Sequence, residues 1–136
     1  PKDNLYSFIG AESVDITCGT EATAGSGEAF PSETVVILGP STGTVLWNFN
    51  ALSIPDKGEV WFDGVKVLDS GYRGSSSYQA ALDIALAARG LPPETITEPG
   101  TFSDSFVKAT ATTTAIVKVF SPLSSTAWDF TLGCPV

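Results

Sequence analysis

Apolar and polar residues alternate along much of the chain, which is the pattern of a β-strand with one buried face. The alternation is clearest in the segments TVLWNFN, TAIVKVF and TAWDFTL. In each segment the large apolar side chains fall on one side: Val45, Trp47 and Phe49; Val117 and Val119; Trp128, Phe130 and Leu132. We expect these sets to face the core, so that Trp47 and Trp128 both point inward.

Three further strands are predicted in short runs rich in β-branched residues, at about 14–18, 34–38 and 105–109. Clusters of Gly, Pro and Ser separate the predicted strands and span 19–33, 39–43 and 98–104. With the hairpin described next, the eight short strands favour an all-β fold, either an antiparallel β-sandwich or a jelly-roll-like arrangement. The length of 136 residues suits a single domain over 1–136.

Residues 53–71 read SIPDKGEVWFDGVKVLDSG and predict a β-hairpin. Asp63 and Gly64 both tolerate a positive φ, which a two-residue type I′ turn requires. The strands would then run over about 58–62 and 65–69. In that register an all-apolar core face pairs Phe62 with Val65 and Val60 with Val67, and the outer face pairs Trp61 with Lys66 and Glu59 with Leu68.

The segment SSSYQAALDIALAARGLPP at 75–93 has a helical rather than an alternating pattern. Its apolar residues recur at helical spacing: Tyr78, Ala81, Leu82, Ala85 and Leu86. Ser76 or Ser77 can cap the start, and Gly90 followed by Pro92 ends it, so we predict one short helix near 77–89. Its apolar stripe must be buried, and the nearest surface in sequence is the outer face of the hairpin, with Trp61 and Leu68.

The charge of the chain excludes several function classes. Fifteen acidic and seven basic side chains give a net charge of −8, which repels nucleic acid and anionic membrane surfaces. No run approaches the roughly 18 apolar residues of a membrane span, and the N-terminus PKDNLYSF lacks the features of a secretory signal. We therefore predict no nucleic-acid partner and no membrane partner, and we favour synthesis in the cytosol.

The sequence gives little support for a catalytic site or a metal site. The chain has no His, which removes the commonest general base and the commonest zinc ligand, and two Cys alone form no zinc or iron–sulfur pattern. GPSTG at 39–43 matches the G-x-S-x-G pattern of serine hydrolases, but a predicted strand follows it where that motif requires a helix. We predict a loop there, no enzyme activity, no metal and no cofactor.

Carboxylates are the remaining source of catalysis, because glycoside hydrolysis needs only two of them. The candidates are Asp56, Glu59, Asp63, Asp69, Asp83 and Asp129. We interpret them as solvated surface charges. Asp56, Asp63 and Asp69 lie in or beside the hairpin and are also the candidates for calcium, but the EF-hand pattern is absent and the turn already explains Asp63.

Trp61 and Tyr72 are the candidate binding residues, because the other two tryptophans are expected to point inward. Aromatic residues near carboxylates suit three roles: burial under the predicted helix, contact with another protein, or a platform for a sugar ring. An open aromatic shelf would favour sugar, whereas burial under the helix or a neighbouring subunit would favour assembly.

The first 13 residues combine few charges with the apolar side chains Leu5, Tyr6, Phe8 and Ile9. Such a segment can add a strand to the sheet edge of a neighbouring subunit, where main-chain hydrogen bonds form and alternate side chains fill pockets. We expect 1–13 to be an attachment arm. The alternative is that this segment pairs within its own sandwich.

The two cysteines lie near the ends of the chain. Cys18 falls on the apolar side of VDITC, and Cys134 continues the stripe of Trp128, Phe130 and Leu132. Both thiols are therefore expected to point inward. First and last strands are often neighbours, so the two residues form either a disulfide that closes nearly the whole chain or two separate buried thiols.

Three motifs lie between residues 45 and 136: the hairpin IPDKGEVWFDG, the DSG that follows it, and the closing WDFTLGCP. In these motifs the chain resembles small β-sandwich proteins of phage and bacteria, whereas 1–13 and 19–33 depart from any such pattern. The resemblance implies a noncatalytic virion protein, such as a capsid cement (decoration) or fibre-associated module. It would bind capsid or other virion subunits, as a homo-oligomer. The alternative is a carbohydrate-binding or adhesion module outside the cell or at its surface.

Overall fold

The computed structural model describes residues 14–24 and 29–136, and within them the chain forms nine strands and one α-helix. In chain order these are β1 (Val14–Thr17), β2 (Glu21–Ala24), β3 (Ala29–Ile37), β4 (Gly43–Asn50), β5 (Asp56–Phe62), β6 (Val65–Arg73), α1 (Gln79–Ala88), β7 (Thr101–Lys108), β8 (Thr114–Ser121) and β9 (Trp128–Leu132). A single 3₁₀ turn, Ser76–Tyr78, leads into α1. In the described part of the chain, no helix has the length and apolar character needed to cross a membrane.

The strands form two sheets that pack face to face. A five-stranded sheet has the order β1-β3-β8-β5-β6, and a four-stranded sheet has the order β2-β9-β4-β7. Neighbouring strands run antiparallel, except that β1 runs parallel to β3. This β-sandwich with one short helix confirms the predicted fold class.

The core lies between the sheets and contains the three predicted inward sets, all of which are buried. Trp47 stacks on Phe49, with ring centroids 5.5 Å apart. Trp47 also lies against Gly58 of β5, where a β-carbon would come within 2.7 Å of the indole. Because real β-carbons do not approach other atoms so closely, Gly58 is what lets β5 cross over this ring.

Two edge strands depart from the predicted boundaries. β2 lies inside 19–33, which the sequence predicts as a loop, and it is held by pairing along its whole length with β9. β7 begins at Thr101 and includes much of the predicted loop 98–104. Both segments are rich in small residues, so pairing with a neighbouring strand decides their conformation more than local preference does. The GPSTG segment connects β3 to β4, as predicted.

The pairing register of the hairpin differs from the predicted one. Pairing follows the prediction next to the turn, and an extra residue at Val67 then brings Val60 opposite Leu68. Such a β-bulge changes the side to which the following residues point. Leu68 is therefore in the core at 6% exposure rather than on the outer face, whereas Val65, predicted to be in the core, is 59% exposed.

The turn of the hairpin is confirmed as type I′, because Asp63 and Gly64 have φ values of 53° and 75°. We expect Gly64→Val to lower the free energy of unfolding by about 1–2 kcal/mol, since a β-branched residue is strained at positive φ. A β-carbon at Gly64 would meet no atom within 4 Å, so the effect would be conformational. Thermal unfolding measures it, and Gly64→Asn, which tolerates this φ, should stay close to wild type. An unchanged melting temperature in the Val variant would contradict the turn assignment.

Helix α1 confirms the prediction near 77–89, with bounds at Gln79–Ala88. Its start differs from the predicted cap at Ser76 or Ser77: the Oγ of Ser75 accepts a 3.3 Å hydrogen bond from the Ser77 N–H at the preceding 3₁₀ turn. Its end is as predicted. Gly90 has a φ of 74° and takes part in the paired backbone hydrogen bonds of a Schellman motif.

Cys18 and Cys134 form a disulfide, with their Cα atoms 5.0 Å apart. This decides between the two alternatives that the sequence leaves open. Cys18 is half-buried against the core. Cys134 is exposed, so the expectation that both thiols point inward is wrong for this residue. The reason is that β9 ends at Leu132, and the alternation of the strand does not continue to Cys134.

Candidate functional site

Helix α1 covers one end of the outer face of the five-stranded sheet. Tyr72 of β6 is buried there, at 1% exposure, with Leu82, Leu86 and Ile96, and burial raises the pKa of its hydroxyl above the ordinary value. Of the three roles that the sequence leaves open for the two aromatic residues, Tyr72 therefore has the first, burial under the helix, and it is not available as a binding residue. The apolar stripe of the helix packs on Tyr72 rather than on Trp61.

Trp61 lies on the part of the same face that the helix leaves uncovered. It pairs across the strands with Ile116 of β8, which pairs in turn with Val35 of β3. Directly paired residues share a face, so the three side chains form an apolar row across three neighbouring strands. All three are half-buried, and the row therefore meets solvent. We call this set, Val35, Ile116 and Trp61, the Trp61 row.

Two contacts fix the indole of Trp61 on the sheet. Its Nε1–H donates a 2.9 Å hydrogen bond to Oε1 of Glu59. The Nζ of Lys118 lies 4.5 Å from the centroid of the Trp61 ring, which is a cation–π contact. The ring is therefore held in one position, and one of its faces is already occupied.

Charged side chains border the Trp61 row. The Oε2 of Glu59, a residue at 6% exposure, lies 3.6 Å from Nζ of Lys66 and 3.9 Å from Nζ of Lys57. Lys66 also donates a 2.8 Å hydrogen bond to Asp69, which raises the pKa of Lys66. Burial acts to raise the pKa of Asp69, but the hydrogen bonds from Lys66 and the Gly71 N–H outweigh it and lower that pKa. The row thus has a rim of ion pairs.

A cleft of about 400 Å³ opens beside Trp61, between the hairpin turn and β8. Its lining combines apolar residues, among them Ile116, with the polar side chains of Asp63, Thr112 and Lys118. The Asp63 carboxylate accepts hydrogen bonds of 2.9 Å from Thr110 and 2.6 Å from Thr112. These bonds tie the hairpin turn to the segment between β7 and β8, so the edge of the cleft is fixed.

Trp61 is identifiable as a candidate from the sequence pattern, whereas its two neighbours in the row were not predicted. In TAIVKVF the inward side belongs to Val117 and Val119, which leaves Ile116 as an apolar residue on the outward side. Val35 has the same position in TVVIL, between the buried Thr34 and Val36. An apolar residue on the outward side of a strand is the signal that points to this surface.

The six candidate carboxylates are not all solvated surface charges, and that interpretation is wrong for Glu59 and Asp56. Glu59 is buried among its ion pairs, as described above. Asp56 is 0% exposed and accepts a 2.7 Å hydrogen bond from the Thr126 hydroxyl. Burial raises the pKa of Asp56 to about 6, against the opposing effect of that hydrogen bond. Within 14–24 and 29–136, no three His, Cys, Asp or Glu side chains are grouped closely enough to hold a metal ion.

The four residues of the predicted arm, Leu5, Tyr6, Phe8 and Ile9, lie outside the described residues. The role of 1–13 in attachment therefore stays a prediction.

No protein-family model matches the chain, and no curated protein matches it. One solved structure that matches is the insecticidal delta-endotoxin Cry8Ea1 from Bacillus thuringiensis, with 18% sequence identity and a TM-score of 0.38. The match covers 87% of this chain and 20% of the toxin chain, so this chain spans about a fifth of the toxin's length.

Proposed function

We propose that this chain is a noncatalytic assembly module that binds a protein surface through the Trp61 row. The observation that supports the proposal is an apolar row that the helix leaves uncovered and that ion pairs border. Protein interfaces have this anatomy, with an apolar centre enriched in aromatic residues inside a polar rim. Tryptophan is also prominent among the residues that contribute most to binding energy.

A carbohydrate-binding or adhesion role is the second candidate, because the cleft beside Trp61 offers the polar side chains of Asp63 and Thr112 to a hydroxylated ligand. The indole itself suits this role less well. Lys118 occupies one ring face and Nε1–H is already donated to Glu59. A sugar stacking on that face would have to displace Lys118 from the ring.

As the setting we propose a virion. The hairpin IPDKGEVWFDG and the closing WDFTLGCP, which carry the resemblance to small phage proteins, both lie within the described sandwich. In this setting the module would decorate a capsid or join a fibre, and its partner would be another virion subunit. Residues 1–13 would add a second attachment to the same assembly.

Photo-crosslinking tests the protein-binding role. A photoreactive side chain at Thr114, an exposed residue lining the cleft, is expected to form adducts with a single protein in the cells or particles that naturally contain this chain. Trp61→Ala should reduce the adduct by roughly tenfold or more, because truncation of a central tryptophan commonly costs about 2 kcal/mol or more. Trp61→Phe should retain most of it.

Ser103 is the matched control position, since it is an exposed hydroxyl residue on a strand of the opposite sheet. Equal adducts from positions 103 and 114, or adducts that Trp61→Ala leaves unchanged, would refute the Trp61 row as the binding surface. Binding to a glycan array that Trp61→Ala abolishes would support the carbohydrate-binding candidate instead.

A further inference from the structure

The outward side of helix α1 is apolar throughout. Successive residues of an α-helix are rotated by about 100°, so the buried Leu82 and Leu86 define the inward side. The opposite side carries five residues, all exposed: Ala80, Ala81, Ile84, Ala87 and Ala88. A surface helix normally presents charged and polar residues to water on this side. We call these five residues the α1 face.

The exposure of Ile84 has no explanation within a single copy of the chain. Its side chain is 72% exposed and points away from the two buried leucines. Alanine on a helix surface is accounted for by its high helix propensity, whereas a β-branched isoleucine lowers that propensity. An exposed isoleucine surrounded by alanines therefore indicates a contact with another surface.

A cleft of about 430 Å³ lies directly beside Ile84. Ala81, Ile84 and Ala85 of the helix form one wall, so Ile84 projects from the edge of the cleft. The other wall comes from the segment after β8, and the remaining lining completes the set: Pro122, Leu123, Arg89 and Ser124. A projecting side chain and a largely apolar cleft thus lie next to each other on the same surface. This is the self-complementary shape of a two-fold contact, in which each copy inserts the same residue into the other.

We propose that two copies of this chain associate through the α1 face, each inserting Ile84 into the cleft of the other. The self-complementary shape of this surface supports a second copy as the occupant. The chain carries a net charge of −8, so two copies repel one another. None of the five residues of the α1 face is charged, so this repulsion is weaker there than where acidic side chains would meet. The contact is separate from the Trp61 row and does not depend on it.

The size of the α1 face sets the expected strength of this association. A ten-residue helix is about 15 Å long, and its outward side is well below the roughly 800 Å² per partner of a standard stable interface. We therefore expect a weak dimer that forms at high micromolar to millimolar concentration. Added salt should strengthen it, because salt screens the repulsion between acidic copies.

Sedimentation velocity of the full chain, from micromolar to millimolar concentration and at low and high salt, tests the proposal. The wild type should show a reversible monomer–dimer equilibrium. Ile84→Glu should raise the dissociation constant by roughly tenfold or more and leave thermal unfolding unchanged, because the side chain is exposed in the monomer. Val107→Glu is the matched control, since Val107 is also 72% exposed but lies on the four-stranded sheet.

A wild type that stays monomeric at millimolar concentration in high salt would overturn the proposal. So would an Ile84→Glu variant that dimerises like the wild type, or a Val107→Glu variant that weakens the dimer equally. If Ile84→Glu fails to fold, Ile84→Ala carries the test: it removes the projecting side chain without adding charge, and it should weaken the dimer severalfold.

Discussion

Replacing Cys18 and Cys134 together by serine is expected to lower the free energy of unfolding by about 4–5 kcal/mol. The disulfide joins residues 116 positions apart, so it closes nearly the whole chain. Such a long cross-link removes a large amount of conformational entropy from the unfolded state. Because domains of this size are stable by only about 5–15 kcal/mol, the double variant would have lost a large share of its stability.

The disulfide also joins the two sheets of the sandwich. The N–H of Cys18, just after β1, donates a 2.9 Å hydrogen bond to Ile37 in the five-stranded sheet. Cys134 follows β9, and two residues further on Val136 exchanges two backbone hydrogen bonds with Thr44 of β4 in the four-stranded sheet. Without the covalent bond, the C-terminal segment is held mainly by backbone hydrogen bonds to β4, so we also expect it to exchange its amide protons faster.

Urea unfolding of the wild type and the double serine variant measures the effect on stability. Thiol titration of the unfolded, unreduced wild type establishes in parallel that the bond is present, and two free thiols would contradict the disulfide itself. A loss of less than about 1 kcal/mol in a protein shown to contain the bond would contradict the loop-closure argument.

The core could be predicted from the sequence because burial in a sandwich repeats with the period of the strand. Trp47, Phe49 and Phe130 lie at alternating positions, and the structure buries all three. The type I′ turn at Asp63 and Gly64 was predictable for a different reason, namely that few residue pairs tolerate two successive positive φ values. In both cases the determining information lies within a few neighbouring residues.

The register of the hairpin could not be predicted in this way. β5 pairs with β6 on one side and with β8 on the other, so its position depends on both neighbours. The bulge at Val67 turns Leu68 into the core. The burial of Leu68 that favours this register comes from contacts with residues distant in sequence. A shift by one residue exchanges the two faces of a strand. The regular register without a bulge therefore placed Leu68 on the outer face, which is wrong.

The location of α1 explains why, of the two candidate binding residues, the helix covers Tyr72 and leaves Trp61 uncovered. The 3₁₀ turn that leads into α1 begins at Ser76, three residues after β6 ends at Arg73. The helix must therefore start near the end of β6, where Tyr72 lies, whereas Trp61 lies beside the hairpin turn at the opposite end of the sheet. Once the end of β6 is known, this short connection places the helix over Tyr72 and away from Trp61.

Asp56 was predicted to be a solvated surface charge, but it is buried. The residue begins β5 and is 0% exposed, with the Thr126 hydroxyl as a donor to Oδ2. Among the described residues, no group donates a hydrogen bond to its Oδ1. A carboxylate removed from water with so few partners is destabilised relative to its protonated form. Burial accordingly raises the pKa of Asp56 from 3.8 to about 6.

This pKa shift makes stability depend on pH in a definite direction. Because the pKa of Asp56 is higher in the folded state than in the unfolded state, its contribution to stability is fully present below about pH 3.8 and is lost as the pH rises through about 6. The expected loss is about 3 kcal/mol. Asp69, whose pKa is lowered in the folded state, acts in the opposite sense, so the wild-type pH profile alone does not isolate Asp56.

Asp56→Asn isolates it, because the amide stays neutral at every pH and its oxygen can still accept the hydrogen bond from Thr126. Relative to the wild type, we expect the variant's free energy of unfolding to rise by about 3 kcal/mol between roughly pH 4 and pH 7, as measured by urea unfolding at each pH. Asp104→Asn, at an exposed carboxylate of β7, controls for the loss of one negative charge and should show a much smaller change.

The contradicting outcome is a difference in the free energy of unfolding between Asp56→Asn and wild type that stays constant with pH. Ionisation of Asp56 would then carry no desolvation cost. Its carboxylate would then have to be solvated or paired in solution, which would contradict its burial at the start of β5.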